Sequence, residues 1–583
     1  MDKYKNFGIG TIVWAYYLLD ADEERMQKDI DYFKSVMPLN KAYLENHRGL
    51  VDVPKEKMIL AKKIFERNGI RTSGCITSTG LVGKRKPAVF DTYCYTDETH
   101  REAYLKIVED LSSIFDEIIL DDYFFCACRC EKCIEAKKDR SWSEYRLDLM
   151  EDFSRVITKR AKEINPNMNF IIKYPNWYES WQETGYNPEK QKDIFDMVYT
   201  GTETRNTRYS LQHLQRYHSY SMVRYMESIA PGQNGGGWID PYGCENNLSR
   251  FLEQADFTLL SKAKELMLFN FEEMTRNRAF PPLAAELLKI DTLLSKLGTP
   301  TGVCTYEPHN GDGEDLLYTY LGMVGVAIEP TPVFKEDAPA IFLSQNSCVD
   351  PDIMTKLERF VRKGGIAIIT TGFLKEELEC GIKDMTSLRP TGRHVAGDEF
   401  LTNFRNHLET TTSSSKESIS FEVFSIKNNA SWADVSVIAD DFNFPLISED
   451  NYGEGRLFIL NVPDNFSDFA KLPLEVLGNI SKVLTEGREV YLCSDEKISM
   501  FSYDNGVFGF YSFTDRPATA KIVIREKCIG IRDIETGKII DSVVPLPKPA
   551  KWFDCCSVMP EPDEYSIEIP VSQGALRFFE ILR

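Results

Sequence analysis

At 583 residues, with 43% hydrophobic and 27% charged content, the chain has room for two to four domains with buried cores and an ordinary globular composition. Its net charge of −20 argues against a nucleic-acid or anionic-membrane partner, either of which wants a basic face. No run approaches the ~18 apolar residues of a membrane span. The N-terminus has no signal-peptide core, and 14 cysteines in so long a chain read as reduced thiols, so a cytoplasmic protein is expected.

Over residues 1–300 short β-type runs alternate with amphipathic segments. The strand candidates are Gly8–Trp14, Lys41–Leu44, Ile70–Ile76, Glu117–Leu120, Asn169–Lys173, Met197–Gly201, Gly235–Asp240 and Glu265–Asn270. Between them lie helical patterns such as Glu102–Phe115, Ser143–Ile164, Ser210–Ile229 and Asn247–Lys264. Eight strand-helix units predict a (β/α)8 TIM barrel. Residues 301–488 read as a second α/β domain. Ala340–Ser344, helical Pro351–Lys363 and Gly365–Thr371 form a β-α-β unit of an open parallel sheet, with a further strand at Gly453–Val462 and a helix at Lys471–Glu486. The serine-rich stretch Thr410–Ser420 is expected to be an exposed loop. Residues 489–583 carry short alternating runs (Val490–Cys493, Gly506–Phe513, Thr519–Arg525, Leu576–Leu582) that predict a small antiparallel β-sandwich. No G-x-G-x-x-G opens a helix and no P-loop occurs, so no organic cofactor is expected. Cys348, with no histidine nearby, reads as an inert thiol.

Barrels place their chemistry where strands end at the C-terminal face. The first strand ends near Trp14 and Tyr16, and the second runs into Glu45, Asn46, His47 and Arg48. The fourth ends in Asp121 and Asp122, and the fifth runs into Lys173, Tyr174, Asn176 and Trp177. The sixth gives Glu203 and Arg205, the seventh Trp238 and Asp240, and the eighth Asn270, Glu272 and Glu273. Carboxylates interleaved with aromatic rings suit sugars, whose hydroxyls want charged or amide partners and whose C–H faces stack on rings. Glycosidic cleavage needs two carboxyl groups, one protonated and one ionised, and crowded carboxylates raise the pKa of one of them. The candidate catalytic groups are therefore Asp121, Asp122, Glu203 and Asp240. Trp14, Glu45, His47, Lys173, Asn176, Trp177, Trp238 and Glu272 are candidate substrate contacts. Each has a structural alternative: Asp240 as a turn starter before Pro241, Glu203 as an ion-pair partner of Arg205, Lys173 as a carboxylate partner, and the tryptophans as barrel packing. Glu227 looks like a strand-end acid, but its spacing puts it in the helix after the sixth strand.

Cys128-x-Cys130-x-x-Cys133 is compact enough for three ligands of one tetrahedral ion, with Cys126 or Cys94 as the fourth. Four thiolates leave no open position, so a zinc held there is structural. It would pin the loop that follows Asp121 and Asp122. Only seven histidines occur, and only His47 sits near a strand end, which disfavours a catalytic metal site.

These features resemble glycoside hydrolase family 42, the bacterial β-galactosidases. That family has an Asn-Glu pair after its fourth strand, then a C-x-C-x-x-C run that binds zinc with one upstream cysteine. Here Asp121-Asp122 stands at the pair, Cys128, Cys130 and Cys133 match the run, and Tyr93-Cys94-Tyr95 resembles the upstream site. The resemblance implies zinc on these four cysteines, leaving Cys126 spare. It also implies a flavodoxin-like middle domain and assembly as a dimer or trimer. Asp122 would replace the family's acid/base glutamate, and Asp240 stands where its nucleophilic glutamate ends the seventh strand.

The expected function is a glycoside hydrolase on short oligosaccharides, exo-acting on a galactoside-like sugar. A strand 4 to strand 6 pairing of carboxylates would resemble α-galactosidase-type barrels, and a strand 4 to strand 7 pairing the β-galactosidase type. The alternatives are a substrate-assisted hexosaminidase using the adjacent Asp pair, and a noncatalytic carbohydrate-binding barrel.

Overall fold

The computed structural model describes residues 4–80, 92–210, 212, 214–403, 410–494, 497–546 and 563–583. The chain divides into two compact units, Met1–Lys296 and Leu297–Arg583.

The first unit is a closed parallel barrel. Its strands are β1 (Gly8–Val13), β2 (Lys41–Arg48), β3 (Arg71–Ile76), β4 (Glu117–Leu120), β5 (Asn169–Tyr174), β6 (Met197–Gly201), β7 (Asn234–Ile239) and β8 (Glu265–Leu268). β1 pairs in parallel with both β2 and β8, which closes the sheet. Side chains alternate along a strand, so one residue in two faces the axis. Ile12, Tyr43, Cys75, Ile119, Ile171, Tyr199, Trp238 and Met267, one from each strand, form a packed interior cluster. Toward the strand starts, Glu265 accepts hydrogen bonds from Tyr43 (2.7 Å) and Tyr199 (3.0 Å). The triple glycine of β7 allows close neighbours: a Cβ on Gly236 would stand 2.2 Å from the Glu265 carbonyl oxygen.

Outside the barrel, Trp142–Ile164 shows why a segment becomes a covering helix. Ser141 and Glu144 form a capping box at its start, and Met150, Phe153, Ile157 and Ala161 are buried at helical spacing. The expected helix over Ser210–Ile229 is shorter, beginning at His218.

The second unit carries a nine-stranded sheet. Five parallel strands, β9 (Val303–Tyr306), β10 (Ile328–Thr331), β11 (Ala340–Leu343), β12 (Ile366–Thr370) and β17 (Gly455–Leu460), lie in the order β10-β9-β11-β12-β17. This 2-1-3-4-5 order is that of flavodoxin-like folds. Between β12 and β17 the chain adds four antiparallel strands: β13 (Leu388–Asn403), β14 (Thr410–Ile426), β15 (Trp432–Ala439) and β16 (Phe442–Tyr452). The serine-rich stretch 410–420 is therefore strand and not the loop expected of it. As the sheet's edge it satisfies its backbone through the ladder to β13, while its polar side chains face solvent. Threonine also fits a pleated, half-exposed surface. The C-terminal part packs two antiparallel sheets around Leu492, Ile498, Phe510, Ile522, Ile567 and Phe579, a β-sandwich. Among the described residues no helix is long and apolar enough to cross a membrane.

Candidate active site

The residue two places beyond each interior side chain shares its direction, so the barrel's next layer is set by the same alternation. Continuing from Tyr43, Cys75, Ile119, Ile171, Tyr199 and Trp238, it brings Glu45, Thr77, Asp121, Lys173, Glu203 (four places on) and Asp240 inward. All six are buried.

Asp121 is tied on several sides. Its Oδ2 accepts from Thr77 (3.1 Å) and from Arg48 Nη2 (3.2 Å), and its Oδ1 accepts from the Asp122 amide (2.8 Å). Alternation alone would send Asp122 away from its neighbour. The strand ends at Leu120, however, and the following turn carries Asp122 to Lys173. The Lys173 ammonium stands 3.1 Å from Asp122 Oδ2, 3.3 Å from Glu203 Oε1 and 3.5 Å from Asp121 Oδ1. It also lies 3.7 Å from the centroid of the Trp238 ring, which stacks on Phe269.

These surroundings separate the two aspartates. Burial opposes charge on Asp121, but Lys173 and Arg48 outweigh it and hold its carboxyl below the usual range. Burial acts first on Asp122 as well, and the Asp121 charge adds to it, so its carboxyl is pushed up to about 8. The surroundings thus push the two neighbouring carboxyls in opposite directions, Asp121 toward ionisation and Asp122 toward keeping its proton. Glu203 Oε2 is buried and has no hydrogen-bond partner among the described residues. It has room because residue 201 is glycine: a Cβ there would stand 3.0 Å from that oxygen and from the Asn176 amide nitrogen.

Asp240 is arranged differently. Arg205, in a left-handed backbone conformation (φ 55°), grips both its oxygens at 2.7–3.1 Å, and the Tyr242 amide donates at 3.1 Å. Arg205 therefore pairs with Asp240 and leaves Glu203 to Lys173.

The remaining expected contacts sit in defined pairs. Glu45 accepts from the Ala15 amide (2.8 Å), Arg48 (3.0 Å) and Thr77 (2.5 Å). His47 bonds Asp52 (2.7 Å) and the Thr79 carbonyl (2.6 Å). Trp14 donates to Glu272 (2.8 Å), which also takes Arg25 (2.7 Å) and Arg276 (2.8 Å). Asn176 donates to the Glu203 carbonyl (2.9 Å), and Trp177 meets Phe125 edge-on. Glu227 lies in the helix His218–Ile229 and accepts from the Gly232 amide. Thr77 and Gly201 join the site without a signal in the sequence, and Arg48 and Arg205, legible at strand ends, gain the role of carboxylate partners. The signal for that role was the excess of acids at the strand ends, since buried carboxylates need cations and donors.

The thiols of Cys94, Cys128, Cys130 and Cys133 lie within 4.8 Å of one another. Cys94 is 3.5 Å from Cys133 and 3.7 Å from Cys130, and Cys130 is 3.7 Å from Cys133. A zinc tetrahedron with bonds of about 2.3 Å has sulfur–sulfur edges of about 3.8 Å, so this donor set fits the ion. Thr96 lies against Cys133 and Tyr145, outside the thiol set.

A closed (β/α)8 barrel thus brings an aspartate pair, a glutamate and a lysine together at its strand ends. Residues 1–284 match the family model described as "Probable glycosyl hydrolase, catalytic domain", and residues 489–567 match "Probable glycosyl hydrolase, C-terminal domain". Residues 298–465 match the second domain of uncharacterized protein SSO3021. The first unit is thus similar, over nearly all of its length, to a probable glycosyl hydrolase catalytic domain. A curated relative, uncharacterized protein SSO3021 of Saccharolobus solfataricus, is 28% identical over 294 residues, 46% of this chain. The alignment spans about half of that relative, 48% of its length. Solved structures share the fold. Gan42B, a GH42 β-galactosidase from G. stearothermophilus, aligns with a TM-score of 0.62 at 11% identity, over 100% of this chain and 99% of its own. The cold-adapted β-galactosidase of Rahnella sp. aligns at 0.63 and 10% identity, over 98% of each chain. An exo-β-1,4-mannosidase from an Opitutaceae bacterium aligns at 0.51 and 10% identity, over 82% of this chain and 94% of its own. The expected likeness to family 42 therefore holds for the fold.

Proposed function

We propose that this protein hydrolyses the O-glycosidic bonds of short oligosaccharides or glycosides, acting from the end of the chain on a galactoside-like sugar. The observation that carries this reading is the meeting of Asp122 and Glu203 on one buried ammonium. Asp122, protonated at neutral pH, gives its proton to the leaving oxygen as the glycosidic bond breaks. Glu203, whose Oε2 has no partner among the described residues, attacks the anomeric carbon and forms a glycosyl ester. Asp122, now ionised, takes a proton from water, which attacks that carbon, releases the sugar and restores Glu203. The separation of Asp122 Oδ2 and Glu203 Oε1 cannot exceed the sum of their 3.1 and 3.3 Å distances to Lys173. That bound concerns one pair of oxygens; carboxyl groups ~5–5.5 Å apart retain configuration and groups ~6.5–9.5 Å apart invert it, and the anomer of the first-formed product tells the two apart.

The pairing joins strands 4 and 6. Asp121 is less suited to orient an acetamido group, because Arg48, Thr77 and the Asp122 amide already use its oxygens. Cys94, Cys128, Cys130 and Cys133 would hold a zinc that fixes the loop after Asp122 and supplies no chemistry of its own. Cytoplasmic location and self-association through the flavodoxin-like sheet belong to the same reading, and light scattering tests the latter. The central experiment is a nitrophenyl glycoside panel with wild type and Asp122→Asn. The variant should lose about 10²–10⁴ of kcat on whichever glycoside is cleaved. Activity kept within a few fold would remove Asp122 from the mechanism.

A further inference from the structure

Lys173 stands at the centre of this site, and its geometry limits what it can do. An ammonium has three N–H donors and no acceptor. Three carboxylates, Asp121, Asp122 and Glu203, lie within 3.5 Å of Nζ, and the Trp238 ring lies 3.7 Å away. Its side chain is 1% exposed. No donor is left for a sugar hydroxyl, so Lys173 is poorly placed as a substrate contact. It is well placed to govern the carboxylates. They come from two different strand ends, and one cation between them is what allows them to approach without mutual repulsion.

Resting on the reading of Asp122 and Glu203 as the catalytic pair, we propose that Lys173 is a positioning residue: it draws the two carboxylates to one point and eases the release of the Asp122 proton. The other charged or titratable groups around this point are already committed. Arg48 serves Glu45 and Asp121, and Arg205 serves Asp240. Tyr123, Tyr186 and Cys75 have pKa values raised chiefly by burial and are neutral at physiological pH. Lys173 is thus the cation in direct contact with both members of the pair. Burial works against its own charge, yet Asp122, Glu203 and Asp121 hold its proton more tightly than usual. Without it, three carboxylates would share the pocket. Asp122, on which Lys173 acts to release the proton, would then keep it to higher pH.

The test compares Lys173→Met, the softer neutral change Lys173→Gln and the conservative Lys173→Arg. On a cleaved nitrophenyl glycoside, the neutral variants should lose at least about 100-fold in kcat with KM within a few fold, and the basic limb of the pH profile should move up. Arginine should restore part of the rate and return that limb toward wild type. A readout that needs no turnover is pH-difference infrared spectroscopy of the carboxylic-acid band, with Asp122→Asn as the blank. In the neutral variants that band should persist at least about one pH unit higher than in wild type. A rise in KM with kcat retained would make Lys173 a substrate contact and overturn the proposal. A band that is absent or unmoved would also overturn it. If the band moves but wild type cleaves no glycoside on the panel, Lys173 keeps its hold on the proton and the hydrolase reading is what falls.

Discussion

Arg205 and Asp240 form a two-pronged ion pair at the end of the seventh strand, with Arg205 Nη2 2.7 Å from Asp240 Oδ2. Asp240 has the position that family resemblance gives to a nucleophile, but a carboxylate gripped through both oxygens is poorly placed to attack. Replacing it by asparagine should therefore act mainly on stability, costing about 1–3 kcal/mol through the weakened charge-assisted bonds. Denaturation curves would measure that loss. On a cleaved glycoside, Asp240→Asn should lower kcat by less than about tenfold, and Glu203→Gln by more than about 10³. Equal losses in the two variants would return Asp240 to contention as the second carboxylate.

The raised Asp122 carboxyl gives a pH dependence of definite sign. The group must be protonated to act as acid, so kcat/KM should fall as pH rises through about 8. The effect on stability follows from linkage. Between the ordinary carboxyl value of about 4 and the folded value, the folded state binds the proton that the unfolded state has lost. Asp122 therefore contributes stability that is fully present below that window and lost as pH rises through it. Asp121, held low, acts oppositely: its contribution is present above the ordinary value and lost as pH falls through its folded value. The difference in stability between wild type and Asp122→Asn should shrink or change sign from pH 5 to pH 9. A pH-independent difference would mean that Asp122 is not held protonated.

Gly201 makes room for the proposed nucleophile. A methyl group there would stand 3.0 Å from Glu203 Oε2 and from the Asn176 amide, and 3.2 Å from the Tyr174 carbonyl oxygen. Two of those atoms are backbone and cannot easily move, so the carboxylate must. Gly201→Ala should cost about 10–100-fold in kcat by displacing Glu203, with a smaller change in stability. A kcat within twofold of wild type would show that Glu203 does not need this position.

Much of this was legible because a barrel strand is a short apolar run whose alternation continues past its end. Ile171 predicts the direction of Lys173 and Ile119 that of Asp121, so candidates read at strand ends fall on one layer. Pairing was not legible, because it depends on turns. The chain after Leu120 turns so that Asp122 meets Lys173, and the left-handed backbone at Arg205 carries its guanidinium to Asp240 instead of to Glu203. The strand at 410–420 was hidden for another reason. An edge strand open to solvent on both faces, as over 410–418, can be made of serine and threonine, and its composition then reads as loop.

The thiol site gives the last test. Cys94 comes from a segment before the fourth strand, whereas Cys128 and Cys130 come from the loop after it and Cys133 from the helix Glu131–Lys137 that follows, so an ion on all four would tie these segments together. The purified protein should contain about one zinc per chain by elemental analysis, and Cys130→Ser or Cys94→Ser should lower that content. Cys126 touches Cys133 through its thiol but is not one of the four mutually close sulfurs, so Cys126→Ser should leave zinc unchanged. Stripping the ion with a strong chelator should lower Tm and kcat together, because the loop that carries Asp122 loses its anchor. Restored zinc should recover both. Cadmium, which also binds four thiolates, should recover them to a similar extent, because a closed site needs only an ion that holds the loop. A rate that followed the identity of the metal while Tm did not would contradict a structural site and place the ion in the chemistry.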